Sequence, residues 1–173
     1  MDIESYRLKI KTLEQTKEEC RKIRALGQKT VFTNGCFDIL HPGHIRYLFA
    51  ARALGNYLTV AVNSDRSVRA IKGPKRPILK EQARMEVLAA LSCVDSVFVF
   101  DEEDPLRVIR YLLPDTLVKG GDWAEEEIIG ADVVKKAGGE VKRIPFVEGF
   151  STTDVIENVL ALHSSGHRPR PVF

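Results

Sequence analysis

Apolar and polar positions along the 173-residue chain change period several times, and each change marks an element. Residues 2–26 are rich in Lys, Arg and Glu, with Leu13, Cys20, Ile23 and Leu26 at rough helical spacing. Gly27 follows in the usual place for a helix stop, so the pattern predicts a leading helix with a loose start and a solvated face. Val31, Phe32 and Thr33 open a buried strand that breaks at the turn pair Asn34-Gly35. Pro42-Gly43-His44 then starts a helix, since Pro is at home in the first helical position. Ile45, Leu48, Phe49, Ala53 and Leu54 give that helix an apolar face, closed by Gly55. Residues 58–62 form a short apolar strand, and 66–79 read as a basic loop containing Gly73, Pro74 and Pro77. Helices follow at 81–91, from the Asp104-Pro105 cap to about 113, at 125–138 with a break at Gly130, and at 154–162. Strands are expected at 94–100, 116–118 and 141–144.

Strands alternating with helices imply parallel strands joined by right-handed crossovers. The expected fold is therefore α/β, a doubly wound parallel sheet of about five strands. Residues 1–28 read as an N-terminal helix packed on the domain, 29–162 as the domain, and 163–173 as a disordered tail with Ser164-Ser165-Gly166 and two prolines. At 173 residues, one domain with a proper core is expected. Hydrophobic residues make up 44% and charged residues 29%, as in an ordinary globular protein. A net charge of +2 is too small to argue for nucleic acid or an anionic membrane as partner. Cys20, Cys36 and Cys93 are widely spaced and odd in number, so neither a disulfide framework nor a zinc pattern follows. With no apolar leader and no long apolar run, a cytoplasmic setting is expected.

The candidate chemistry gathers at the first strand–loop–helix. A helix N-terminus after a tight loop offers free N–H groups and the positive end of a dipole, which suits phosphate. His41 precedes that helix and His44 sits in its first turn, with Gly43 between them leaving the backbone approachable. One histidine near a helix start is ordinarily a surface or capping residue; two at one terminus can aim at one anion. No cluster of Cys or His lies near in sequence, so no metal site is assigned. Asn63-Ser64-Asp65 ends a strand, where ligands collect in open parallel sheets. The cations of 66–79 belong to an exposed loop or to a flap that carries charge to phosphates, and the flap is preferred. In Lys119-Gly120-Gly121-Asp122-Trp123 the glycines admit a ligand, and Trp123 offers either a flat face or core packing. No Walker P-loop and no nucleophile–base–acid triad occurs.

Asn34-Gly35-Cys36-Phe37-Asp38 with His41-Pro42-Gly43-His44 resembles the fingerprint of the cytidylyltransferase-like nucleotidyltransferases. Asn63-Ser64-Asp65, Lys72-Gly73, Arg76-Pro77, Lys119 to Trp123, and Glu148-Gly149-Phe150-Ser151-Thr152-Thr153 continue the resemblance in order, over about 29–160. Within the family, the set is most similar to the free-standing D-glycero-β-D-manno-heptose 1-phosphate adenylyltransferases. The resemblance implies a Rossmann-like nucleotidyltransferase fold with strand order 3-2-1-4-5. It implies that a sugar 1-phosphate oxygen attacks the α-phosphorus of ATP and pyrophosphate leaves, giving an ADP-sugar for lipopolysaccharide core. Such an enzyme works by positioning and charge neutralisation.

By the same resemblance, His41, His44 and Lys72 are the catalytic candidates. Thr33, Asn34, Gly35, Cys36, Phe37, Gly43, Gly121, Asp122, Trp123, Ser151, Thr152 and Thr153, together with the two histidines, would bind nucleotide. Asp38, Asn63, Asp65, Lys72 and Arg76 would face the sugar phosphate. Mg²⁺ is expected with ATP. A homo-oligomer, dimer or larger, is implied, as is a separate sugar kinase acting upstream. Glycerol-phosphate cytidylyltransferases carry arginine three positions before the glycine of the last motif, where this chain has Phe146, which favours ATP over CTP. The alternatives are a cytidylyltransferase or flavin-adenylating enzyme of the same fold, or a nucleotide-binding module without catalysis.

Overall fold

The computed structural model describes residues 4–121, 127–145 and 149–164. Five parallel strands, β1 (Thr30–Gly35), β2 (Tyr57–Asn63), β3 (Ser96–Phe100), β4 (Thr116–Gly120) and β5 (Glu140–Ile144), form one sheet in the order β3-β2-β1-β4-β5. This is the expected order, and the architecture is a Rossmann-like α/β sandwich. Every residue of β2 is buried, because a central parallel strand is covered on both faces.

Successive side chains of a strand point to opposite faces, so each strand feeds two cores. Val31, Leu58, Val60 and Val118 pack with Leu48 of α2 (Pro42–Arg52) and Leu88 of α4 (Glu81–Ala89). Phe32, Ala61, Phe98 and Leu117 pack with Ile109 and Leu112 of α5 (Leu106–Leu112) and Val134 of α6 (Ala131–Lys136). α1 (Leu13–Ala25) joins the second layer through Leu13 and buries Cys20.

Several boundaries differ from expectation for physical reasons. The leading segment is two pieces: a 3-10 turn at Ser5–Lys9, then α1, which starts at a capping box in which Gln15 N donates to Thr12 Oγ1. Between them Ile10 bridges Val97 in parallel, so the edge of the sheet interrupts the helix. Phe49, expected inward, is 50% exposed, and Ala51 is buried instead. The helix expected over 125–138 is α6 alone among the described residues, begun by Gly130. α7 (Thr152–Ser164) runs two residues past its expected end, into the span expected to be a tail.

Residues 66–79 are not one loop. Residues 65–72 form α3 (Asp65–Lys72), capped by Ser64, whose hydroxyl accepts from Ser67 N at 3.0 Å. Arg66, Arg69 and Lys72 fall three apart, so they share the solvent face of a helix whose Ser67 and Val68 are buried. Only residues 73–80 remain a loop, and they are tethered, as described below.

Candidate active site

The site begins where β1 and β4 part. β1 pairs with β2 along its whole length but with β4 only at Val31–Thr116 and Phe32–Leu117. Beyond that ladder β1 continues to Gly35 and β4 to Gly120, leaving a crevice at the point where strand order reverses. Tyr47 of α2 spans the base of the split. Its hydroxyl lies 2.6 Å from Thr33 Oγ1 and donates to the Val118 carbonyl at 3.3 Å, so Thr33 donates to it. Burial pushes the Tyr47 phenol up to about 12, which keeps this tie neutral.

The loop above the split is tight and partly strained. Phe37, a buried non-glycine residue, has φ 43°. Its ring packs on His44 with centroids 5.5 Å apart. A Cβ on Gly35 would stand 3.0 Å from that ring. His41, the N-cap of α2, and His44 stack at 3.9 Å with an interplanar angle of 28°. A Cβ on Gly43 would meet the His41 ring at 3.0 Å and Phe150 Cβ at 3.3 Å, so a side chain there would wedge apart the approach of α2 to the start of α7. His41 also stacks on Phe150 at 6.4 Å. Ser151 caps α7 by accepting from Asp154 N at 3.0 Å, and Thr152 and Thr153 occupy its first turn.

Both Nδ1 atoms of this histidine pair are buried without a hydrogen-bond partner among the described residues. Burial lowers the His44 pKa to about 4, with the neighbouring His41 adding to the effect and a hydrogen bond to the Ile39 backbone opposing it. Burial also lowers His41, against a small pull upward from Asp154. Two neutral imidazoles with unmade bonds thus sit where two helix N-termini meet. Buried polar atoms are almost always paired, so this arrangement suits an arriving anion.

Asp38 is spent within the protein. Its buried carboxylate accepts from Arg76 Nε at 2.6 Å, from Ile78 N at 2.8 and 2.9 Å, and from Leu79 N at 2.8 Å. Burial pushes this carboxyl up, but the Leu79 and Ile78 amides and Arg76 outweigh it, leaving the pKa below the usual range. Asp38 and Arg76 therefore hold loop 73–80 against the β1–α2 loop. Asp65 faces Arg84 at 3.0 Å, and Asn63 donates to Ser67 Oγ at 2.9 Å. Lys72 ends α3 with its side chain exposed, close enough for its charge to pull down the half-buried Cys36 thiol, which burial raises on balance. Thr33, Asn34 and Gly35 are the last residues of β1, and Gly121 N donates to the Ile144 carbonyl at 3.0 Å just past β4. Asp122, Trp123 and Phe146 lie outside the described residues.

Arg84 and Tyr47 carry the scaffold and do not stand out in the sequence. Arg84 is 1% exposed, and its guanidinium donates to the carbonyls of Leu79 at 3.0 Å and Cys36 at 2.5 Å and to Asp65. Its signal was its place four residues before Leu88, on the buried face of α4. A separate cleft of about 470 Å³ opens beside the carboxyl ends of β2 and β3, lined by Ser64, Asp65, Arg66, Arg69 and Asp101. Of the residues given a catalytic or binding role by the resemblance only Asp65 lines it, so the candidate site is placed by the histidines and the strand split.

The Cytidylyltransferase-like family matches residues 32–158, a span that runs from β1 into α7 and takes in the split, both histidines and loop 73–80. The chain belongs to this family. It is a nucleotidyltransferase. It is 53% identical over 152 residues to the Bifunctional protein HldE of Trichlorobacter lovleyi, covering 88% of this chain and 31% of that protein. With the protein of the same name from Syntrophotalea carbinolica it shares 49% over 161 residues, 93% of this chain and 33% of that one. The chain thus spans about a third of the length of the curated relatives it matches. The crystal structure of the lipopolysaccharide core biosynthesis protein from Thermoplasma volcanium GSS1 superposes with TM-score 0.59 at 32% identity, covering 70% of this chain and 98% of that one. Pantoate-beta-alanine ligase from Francisella tularensis shares the fold alone, at 16% identity and TM-score 0.58, over 90% and 77% of the two chains.

Proposed function

We propose that the chain transfers AMP from ATP to D-glycero-β-D-manno-heptose 1-phosphate, yielding ADP-heptose and pyrophosphate for lipopolysaccharide core synthesis. The observation that carries the nucleotidyl-transfer site is the stacked His41–His44 pair where α2 and α7 begin, with both Nδ1 atoms buried and unpartnered among the described residues. The heptose acceptor is supported by the ordered motif set and by similarity to proteins named HldE and to a lipopolysaccharide core biosynthesis protein. Those curated relatives are called bifunctional, and this chain spans a third of them, which fits one of two activities. A sugar kinase would be the other, acting upstream.

An oxygen of the acceptor phosphate attacks the α-phosphorus of ATP. The bond from that phosphorus to the α,β-bridging oxygen breaks, and its electron pair leaves with pyrophosphate. The attacking group is already an anion, so no protein nucleophile is needed. His41 and His44, neutral at pH 7, donate N–H bonds to the departing pyrophosphate where negative charge grows. Amides of the β1–α2 loop and of the α7 start take further oxygens. Lys72, at the end of α3, neutralises repulsion between the two anions as they meet. Mg²⁺ would enter on the phosphates. Asp38, the acid of the loop, is taken by Arg76 and two amides, and no group of three metal ligands occurs among the described residues. That donor set fits an ion held by phosphate oxygens and water, where it would neutralise charge on the triphosphate.

The test is pyrophosphate release with ATP or CTP, each paired with the heptose 1-phosphate, glycerol 3-phosphate or FMN. Turnover confined to ATP with the sugar 1-phosphate is expected. Faster turnover with CTP and glycerol 3-phosphate, or with FMN, would move the chain to another branch of the family. Binding without turnover in every pairing would make it a nucleotide-binding module.

A further inference from the structure

Lys119 is the penultimate residue of β4, one position past Val118, whose carbonyl receives Tyr47 Oη at the base of the split. It therefore stands on the β4 side of the crevice, opposite the open end of β1. The residue is half-buried, and among the described residues the charged or titratable groups that act on it are Cys36 and Lys72. Among the described residues no carboxylate pairs with it. Burial is the largest influence on its pKa and lowers it, the Cys36 thiol opposes this slightly, and Lys72 adds to the lowering. Half-burying an amine beside a second cation costs free energy unless an anion arrives. Several other half-buried cations of this fold are satisfied within it: Arg76 has Asp38, Arg24 has Asp115, and Lys9 and Lys17 donate to backbone carbonyls. Among the described residues Lys119 has neither an anion nor a carbonyl acceptor.

Resting on the nucleotidyl-transfer reading above, we infer that Lys119 is a second phosphate-contacting cation, which with Lys72 brackets Cys36 and takes phosphoryl oxygens at the mouth of the β1–β4 crevice. Its ligand class is a phosphate monoester or phosphoanhydride oxyanion, supplied by the acceptor sugar phosphate or by the nucleotide. The two cations differ in kind. Lys72 is exposed on a helix end, whereas Lys119 is set on a sheet strand and half-buried. A desolvated amine held on a rigid element gives a charge-assisted bond of fixed direction, so Lys119 orients while Lys72 follows charge.

Two measurements test this. The first is competitive acetylation of the full chain with trace acetic anhydride, read peptide by peptide, with the exposed Lys29 as internal standard. Lys119 should be shielded at least about fivefold by ATP, by the heptose 1-phosphate or by inorganic pyrophosphate, while Lys29 is unchanged. Shielding by the nucleotide and pyrophosphate alone assigns it to ATP; shielding by the sugar phosphate alone assigns it to the acceptor. The second is Lys119→Met against Lys119→Arg. Methionine should lower kcat/KM by roughly 10–100-fold, as loss of a charged hydrogen bond does, and arginine should recover part of it. If the wild-type chain turns over, Lys119 labels equally with and without all three probes, and Lys119→Met stays within twofold, the inference falls and the functional reading stands. If the wild-type chain fails to turn over, the functional reading falls, and shielding by pyrophosphate still decides Lys119.

Discussion

Replacing Arg84 with methionine keeps most of the side-chain volume and removes the guanidinium. Three bonds go: to the Leu79 carbonyl, the Cys36 carbonyl and Asp65. The arginine side chain is wholly buried and Asp65 is 14% exposed, so the carboxylate is left short of a partner in a largely dry setting. Stripping one partner from a buried ion pair costs about 3–5 kcal/mol. Here the figure belongs at the lower end, because Asp65 keeps some solvent access and Lys80 stands 3.8 Å away. The two carbonyls add about 1 kcal/mol each where water does not replace the donor. The total is about 3–5 kcal/mol, or a drop in Tm of roughly 6–20 °C for a domain of this size. Urea unfolding followed by circular dichroism gives the free energy directly, and calorimetry with ATP reports whether Cys36 and its loop have shifted. Arg84→Lys should recover part of the loss, since it keeps the charge but not the three-way reach. In a double-mutant cycle with Asp65→Asn the two losses should be strongly non-additive. A loss under about 1 kcal/mol with an unchanged m-value, or full additivity in the cycle, would refute the claim that this arginine pins the β1–α2 loop to α3 and loop 73–80.

His41→Ala and His44→Ala should each lower kcat about 100-fold in folded protein, as loss of a transition-state donor does; rates within a few-fold of wild type would make the pair structural. The folded His44 has a pKa of about 4 against about 6.5 unfolded, so between those values the unfolded chain binds more protons and stability falls as pH drops through that window. Urea midpoints at pH 7.5 and 5.5 should show the decline, and an undiminished slope in His44→Gln would assign it elsewhere. Asp38→Asn should release loop 73–80, read as hydrogen exchange at the Ile78 and Leu79 amides at least about tenfold faster; unchanged protection would mean the loop is held without that carboxylate. Lys72→Met should cost mainly the single-turnover rate, and loss of ATP binding with the rate intact would make Lys72 a ground-state anchor.

The sequence by itself determined the layered α/β class, the positions of the five strands and the start of α2 at Pro42. These are local: two-residue and helical periods, turn pairs, and a proline at the first helical position report on their own neighbourhood. The histidine pair was legible for the same reason, since both members lie within four residues of one helix start. What only the tertiary structure decided is where charges meet across the sheet. Asp38 read as a substrate ligand because its partner Arg76 is remote in sequence, and folding spends it on loop 73–80. The cations of α3 read as a flap because three-residue spacing of charges looks the same in a loop and on a solvent-facing helix. The one local mark of burial at Arg84 is its place four residues before Leu88, and it is outweighed because an arginine on an amphipathic helix ordinarily faces water. Only the convergence of the Cys36 and Leu79 carbonyls and Asp65 makes its burial affordable. Lys119 differs from an edge lysine only because β1 and β4 stop pairing just before it, and pairing between strands remote in sequence is a property of the folded sheet.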